Sequence, residues 1–148
     1  MPLSDESMPD GQTIADLVRR VEQTDASLAT FGFRVGSVSP GQATLSMRVE
    51  SGFTNGHGVA HGGVIFALAD TAFAVAAGTM TNEAATTDAS IAYFSPALLG
   101  EELVAEAHVR HVVGRRSLVD VTVRSGTRVV AEYRGRGTSS RPTTTPSP

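Results

Sequence analysis

Residues 64–79, VIFALADTAFAVAAGT, are apolar on every side and rich in alanine, and Asp70 is the only ionisable group between Gly62 and Asn82. A helix with no polar face belongs in an interior, so this segment is expected as a buried helix around which the rest of the chain is wrapped. At roughly 1.5 Å per residue it would span about 24 Å, short of a bilayer core, and the acid at its centre argues further against a membrane span.

The flanking segments say what does the wrapping. Thr13 is placed to cap a helix whose apolar positions Ile14, Leu17, Val18 and Val21, and then Leu28, recur at helical spacing, which predicts an amphipathic surface helix. From Phe31 the period shortens: Phe33, Val35 and Val38, then Ala43, Leu45, Met47 and Val49, alternate around the turn sequence Ser39-Pro40-Gly41, as a hairpin does. After the apolar helix, residues 86–93, 103–113, 117–124 and 128–136 favour strands and are separated by Pro96, Gly100, Gly114 and Gly126; the last three suit a meander. The order predicts an α+β fold with one antiparallel sheet against one helix. The 148 residues suit a single domain, placed at 12–137, between a loose acidic leader (1–11) and a disordered Ser/Thr/Pro-rich tail (138–148).

Composition excludes several functions. The 12 basic side chains are all arginine against 15 acids, a net charge of −3, so no broad basic face is offered to nucleic acid or an anionic membrane. Without lysine there is no Schiff base, and without cysteine no disulfide, thiolate metal site or thiol nucleophile. Neither Gly-x-Ser-x-Gly nor a phosphate-binding P-loop occurs. Residues 1–12 are acidic and lack the apolar core of a secretory signal, so a cytoplasmic location is expected.

Two clusters could carry chemistry. Asp70 either caps a loop or pairs with an arginine, or it is a general base or nucleophile in a partly dry pocket. The stretch Asn55-Gly56-His57-Gly58-Val59-Ala60-His61-Gly62-Gly63 precedes the helix, and its four glycines either shape tight turns only, with His61 as an N-terminal cap, or bring helix-start N–H groups up to an anion or oxyanion. Gly62 and Asp70, eight residues apart on one helix, would lie about 12 Å apart and turned by roughly 80°. They cannot grip one carbonyl within a single chain, so a shared reaction would need a two-fold axis and a site built from two subunits. His57 and His61, with His108 or His111, form only a poor metal set, and no metal is expected. His108 and His111, three apart on a strand, should point to opposite faces. Gly114-Arg115-Arg116 is a basic turn that either meets a phosphate or is a solvated bend.

The run from Asn55 through His61-Gly62-Gly63, then Ala67-Leu-Ala-Asp70-Thr-Ala-Phe-Ala, and later Ala92-Tyr-Phe-Ser-Pro-Ala, resembles the PaaI-like branch of the hotdog-fold acyl-CoA thioesterases over residues 14–137. The resemblance implies a long central helix wrapped by a curved antiparallel sheet of five to six strands, dimers pairing into homotetramers, no cofactor, and an acyl-CoA substrate with an aryl-acetyl or medium-chain acyl group. It implies that the Gly62 amide holds the thioester oxygen and Asp70 of the other subunit attacks or activates water. Asn55 would position that water or the thioester, and His61 would support the loop. A hydroxyl on the strand after the helix matches Thr86, with Thr87 second, and Ser95, Pro96, Arg115 and Arg116 are the positions offered for CoA. The alternatives are a hotdog hydratase or dehydratase, in which His61 would pair with the acid, and an acyl-CoA binding protein without catalysis.

Overall fold

The apolar run folds as a helix, α3 (Gly62–Thr81), whose 20 residues extend the sequence-based limits at both ends. At about 30 Å and a mean hydropathy of 1.6 it has the length and composition to cross a bilayer, so the length argument drawn from the sequence does not hold. Packing places it instead. Leu68, Ala69, Ala72, Phe73, Ala76 and Ala77 are fully buried, and α3 lies against strands of a single sheet as its core helix. Gly62 and Gly63 extend the helix behind an N-cap at His61, and Asn82, at φ +61°, ends it.

The computed structural model describes Met8 and residues 11–139. Around α3 stand α1 (Ile14–Thr24), α2 (Ala26–Phe31), β1 (Arg34–Ser39), β2 (Gln42–Arg48), a 3-10 turn (Ser51–Phe53), β3 (Ala84–Tyr93), β4 (Glu102–Val113), β5 (Arg116–Ser125) and β6 (Arg128–Ser139). The six strands form one sheet in the order β1-β2-β4-β5-β6-β3, every neighbour antiparallel. The expected hairpin (β1-β2) and meander (β4-β5-β6) are both present, and β3 runs along β6, leaving β1 and β3 as the edges.

Alternation sets the two faces of the sheet. Inward point Ala43, Leu45 and Met47 of β2, Leu103, Ala105 and Ala107 of β4, Val119, Val121 and Val123 of β5, and Ala131 and Tyr133 of β6, all buried. Burying a side chain such as Phe73 stabilises the fold by about 1.5–3 kcal/mol. Its ring lies over Gly135 and Gly137, where an added Cβ would meet Phe73 at 3.0 and 2.7 Å. The outer face carries charge. Asp120 and Arg134 are direct cross-strand partners joined by two hydrogen bonds of 2.6 and 2.9 Å. Thr122 donates to its partner Glu132, and Arg136 donates to its partner Asp88 at 2.7 Å.

Four expectations need correction. The N-terminal helix is two helices, because Asp25 leaves helical geometry and its carboxylate accepts from Ser27 N, capping α2; Leu28 is buried from that second helix. The leader is not loose throughout: Met8 is buried and its N–H donates to Gln12 O at 2.7 Å, while residues 1–7, 9 and 10 lie outside the described residues. The tail begins later than Thr138, since β6 continues to Ser139, buried and donating its N–H to Arg115 O at 2.8 Å; residues 140–148 lie outside the described residues. Finally, His108 and His111 share one face. A bulge leaves Arg110 unmatched, so His108 pairs with Asp120 and His111 with Leu118, two residues apart on β5, and both histidines are exposed on the outer face.

The hollow under Phe73 yields a test. Gly137→Ala puts a methyl 2.7 Å from Phe73 Cζ and 3.1 Å from Ala85 O, and is expected to lower unfolding stability by about 1–3 kcal/mol in urea titration.

Candidate active site

Asp70 sits half-buried midway along α3, on the side turned toward β6 and β3. A carboxylate taken out of water must find donors or a cation. Among the described ion pairs and hydrogen bonds no arginine reaches it. Two hydroxyls do: Thr86 Oγ1 donates to Oδ1 at 2.8 Å and Tyr133 Oη donates to the same oxygen at 2.5 Å. With both donors on Oδ1, Oδ2 keeps its lone pairs for a reacting atom.

Each donor is delivered by a specific backbone feature. Thr87 is the extra residue of a bulge between Thr86 and Asp88, and its own hydroxyl is turned to Arg136 O at 3.1 Å. Of the two threonines offered by the sequence, Thr86 is therefore the one that meets Asp70. Tyr133 stands at an inward position of β6 opposite Val121, 2% exposed, with its ring against Phe66 and Phe73. Burial first, then the hydrogen bond to Asp70 and that carboxylate's charge, push the Tyr133 hydroxyl far above its ordinary pKa of 10.0, so it remains a donor through the whole neutral range.

The glycine-rich loop makes a second cluster at the start of α3. Asn55 Oδ1 accepts from His57 N at 2.9 Å, Asn55 N donates to Val59 O, and Gly58, at φ +74°, donates to Asn55 O, closing a tight turn that only glycine fits easily. The loop is pinned where Ala60 N donates to Ala97 O and His61 N to Phe53 O, both at 2.8 Å. His61 Nδ1 accepts from Gly63 N at 2.8 Å, and His61 O accepts from Val64 N and Ile65 N. That leaves Gly62 N–H as the helix-start donor with no acceptor among the described residues, aided by the positive end of the helix dipole. Tyr93 Oη donates to Gly62 O at 2.7 Å, and burial raises the pKa of that phenol.

Thus Asp70 and Thr86 come together, as do Asn55, His61 and Gly62, but eight residues of helix keep the two groups about 12 Å apart. Ser95 and Pro96 join the second group, lining a groove with Asn55, Gly62 and Tyr93; the Ser95 hydroxyl, however, is spent on Val129 O at 2.8 Å. Arg115 and Arg116 lie elsewhere, Arg115 in the β4–β5 turn and Arg116 at the start of β5, where it borders a separate groove with Thr87, Asp88 and Arg136. Among the described residues no group of three or more His, Cys, Asp or Glu side chains is placed to hold a metal.

The sequence reading missed Tyr93 and Tyr133. They are the only tyrosines in the chain, and both turn their hydroxyls onto site groups. The available signal was Tyr133 in the inward register of a strand otherwise lined by Ala and Gly, where a buried phenol must find an acceptor.

Comparison with known proteins adds an independent line. The thioesterase superfamily model matches residues 57–132. The acyl-coenzyme A thioesterase PaaI of Escherichia coli is 34% identical over 115 residues, covering 77% of this chain and 82% of that protein. The E. coli PaaI structure superimposes with a TM-score of 0.84 at 29% identity, covering 87% of this chain and 94% of that one. A Streptococcus mutans protein solved bound to acetyl CoA matches with a TM-score of 0.69 at 28% identity, over 72% of this chain and 86% of that one.

The Tyr133 hydroxyl makes a pH prediction. Its folded pKa lies above the unfolded value, so the stability it contributes is full below pH 10 and declines as the pH rises above it. Urea midpoints from pH 8.5 to 11 are expected to fall more steeply for the wild type than for Tyr133→Phe.

Proposed function

The chain belongs to the thioesterase superfamily, and from that premise we propose that it hydrolyses acyl-CoA thioesters to the free acid and CoA, at sites shared by two subunits. The observation that carries this reading is the open Gly62 N–H on one end of α3 and the free oxygen of Asp70, held by Thr86 and Tyr133, further along it.

Edge strand β3 supplies the geometry that joins them. Thr86, beside Asp70, and Tyr93, beside Gly62, stand seven residues apart on β3, about 23 Å at strand rise. Antiparallel pairing of β3 with its own copy, about a two-fold axis near residues 89–90, sets Thr86 of one subunit across from the partner's Tyr93. Asp70 then faces Gly62 of the partner subunit, twice per dimer. Most of β3 is exposed in the single chain, as an edge awaiting a partner would be. Pairing of such dimers into a homotetramer follows the family resemblance.

In this dimer the Gly62 amide polarises the thioester carbonyl and takes the developing negative charge, an effect worth on the order of 3 kcal/mol for one oxyanion donor. Asn55, whose Oδ1 is fixed by His57 N, offers its amide N–H groups to the water or the thioester. In the general-base route Asp70 Oδ2 takes a proton from water as its oxygen bonds to the acyl carbon; the C–S bond then breaks and the thiolate of CoA recovers the proton. In the nucleophilic route Oδ2 itself bonds to the acyl carbon as the C–S bond breaks and CoA leaves as the thiolate; water then attacks the Asp70 carboxyl carbon of the resulting anhydride, freeing the acid and giving its proton to the thiolate. Single turnover in 18O-labelled water separates them, since only the nucleophilic route leaves label in Asp70.

Ser95 and Pro96 border the groove at Gly62 and are assigned to the pantetheine arm. Arg115 and Arg116, with no side-chain partner among the described ion pairs and hydrogen bonds, are assigned to the CoA phosphates. The acyl group is assigned to the aryl-acetyl or medium-chain class on the family resemblance. A hydratase is less well served, because His61 Nδ1 is already occupied by Gly63 N–H.

Asp70→Asn is expected to abolish thiol release from a panel of acyl-CoA substrates while the oligomer stays intact by light scattering; normal release would overturn the reading. Mixing Asp70→Ala chains with Gly62→Pro chains, each inactive alone, should restore about a quarter of wild-type activity, since half the dimers then carry one complete site. No recovery after confirmed subunit exchange would rule out shared sites.

A further inference from the structure

We infer that Tyr93 is a positioning residue for the Gly62 amide, clamping the first peptide of α3 so that the Gly62 N–H keeps one direction. The inference rests on the thioesterase reading for its catalytic consequence and on geometry for the clamp itself.

The peptide joining Gly62 to Gly63 is held at both ends by side chains. Its carbonyl accepts from Tyr93 Oη at 2.7 Å, and its N–H donates to His61 Nδ1 at 2.8 Å. The preceding peptide, which carries the Gly62 N–H, is held through its own carbonyl, His61 O, by Val64 N and Ile65 N; with the planes on both sides of Gly62 fixed, its backbone rotations are set and the Gly62 N–H is aimed. Two glycines in succession would otherwise give this helix start more freedom than any other pair of residues. The phenol also sits close over the glycine, since a Cβ on residue 62 would lie 3.0 Å from Tyr93 Oη and 3.1 Å from Cζ. Tyr93 therefore packs closely over position 62, where glycine leaves it room, and supplies the restraint that glycine lacks.

Burial does not demand this contact. Tyr93 is 49% exposed in the single chain, and the Gly62 carbonyl lies in the first turn of a helix, where the backbone already offers it a donor. An exposed phenol reaching 31 residues back along the chain to a helix-start carbonyl is explained by what that carbonyl's peptide has to hold. His61 takes part as an acceptor at Nδ1.

The test is Tyr93→Phe, which keeps the ring and removes the donor, made in the full chain and measured beside the wild type. The expected result is a kcat about tenfold lower with KM within twofold, the size of one lost hydrogen bond. Two inhibitors distinguish aim from general damage. A difluoroketone analogue of the acyl-CoA, with CF2 in place of sulfur and bound as the tetrahedral hydrate, should bind about tenfold more weakly to the variant, whereas a thioether analogue lacking the carbonyl should bind equally to both. Unchanged kcat, or equal weakening of both analogues, overturns the clamp. The Gly62 amide resonance reads it without turnover: one sharp peak in the wild type is expected to broaden or multiply in the variant, and an unaltered peak overturns the clamp even if hydrolysis stands. Loss of wild-type activity with the expected resonance change would instead remove the thioesterase reading and leave the clamp. Should the Phe variant not fold, Tyr93→Leu is read by the same measurements.

Discussion

Two hydroxyls donating to one carboxylate oxygen, on a helix with no other charge, hold this structure to a narrow set of possibilities. An unpaired carboxylate in an apolar setting costs several kcal/mol, and an arginine partner would have neutralised Asp70 as a reactive group. Thr86 and Tyr133 offer hydrogen bonds without a counter-charge, so the carboxylate is kept in place and still has one oxygen to spare. To do so they arrive from two strands, β3 and β6, whose relative register includes the bulge at Thr87. The position of the acid, the bulge and the pairing of the last strand are thus one requirement.

Much of this could be read from residue patterns alone. The buried helix, the β1–β2 hairpin, the meander, the Thr13 cap and the spacing of Asn55, His61, Gly62 and Asp70 all follow from periodicity and local chemistry, because they depend on neighbours in sequence. What periodicity could not supply were features set by pairing partners. Bulges at Thr87 and Arg110 change facing without any change of composition, which is why His108 and His111 fall on one face and Thr86 is distinguished from Thr87. Tyr133 meets Asp70 across 63 residues of chain, and Tyr93 meets Gly62 across 31. The break at Asp25 was locally encoded but hidden because Leu28 falls seven residues, two helical turns, after Val21. The length of α3 was underestimated because glycine normally argues against helix, whereas here His61 caps the two glycines into it.

The loop before α3 shows how a flexible composition becomes a fixed site. Asn55, Gly58 and His61 each turn a backbone N–H inward upon the loop's own acceptors or receive one, and the bridges to Ala97 and Leu98 fasten the loop to the segment that follows β3. The result leaves the Gly62 amide, at the start of α3, open. Glycine is used there to let other groups approach closely, and its freedom is taken up by contacts from outside the loop.

The charged pairs on the outer face of the sheet bear on how the chain avoids misfolding. Sliding β6 by two residues along β5 would keep every side chain on its proper face, so the apolar pattern alone does not forbid it. One such slide sets Asp120 opposite Glu132 and drives Tyr133 opposite Val119, into the hollow that Gly135 keeps for Phe73; the other puts Gly135 opposite Val121 and leaves Asp70 without its phenol. The bidentate grip of Arg134 on Asp120 and the bond from Thr122 to Glu132 therefore act as an alignment key against the first slide, which sets acid against acid; the second keeps an arginine, Arg136, opposite Asp120 and is opposed by the lost contact to Asp70. A solvent-facing row of ion pairs worth little as stability becomes a guard on whether the buried acid meets its donors at all.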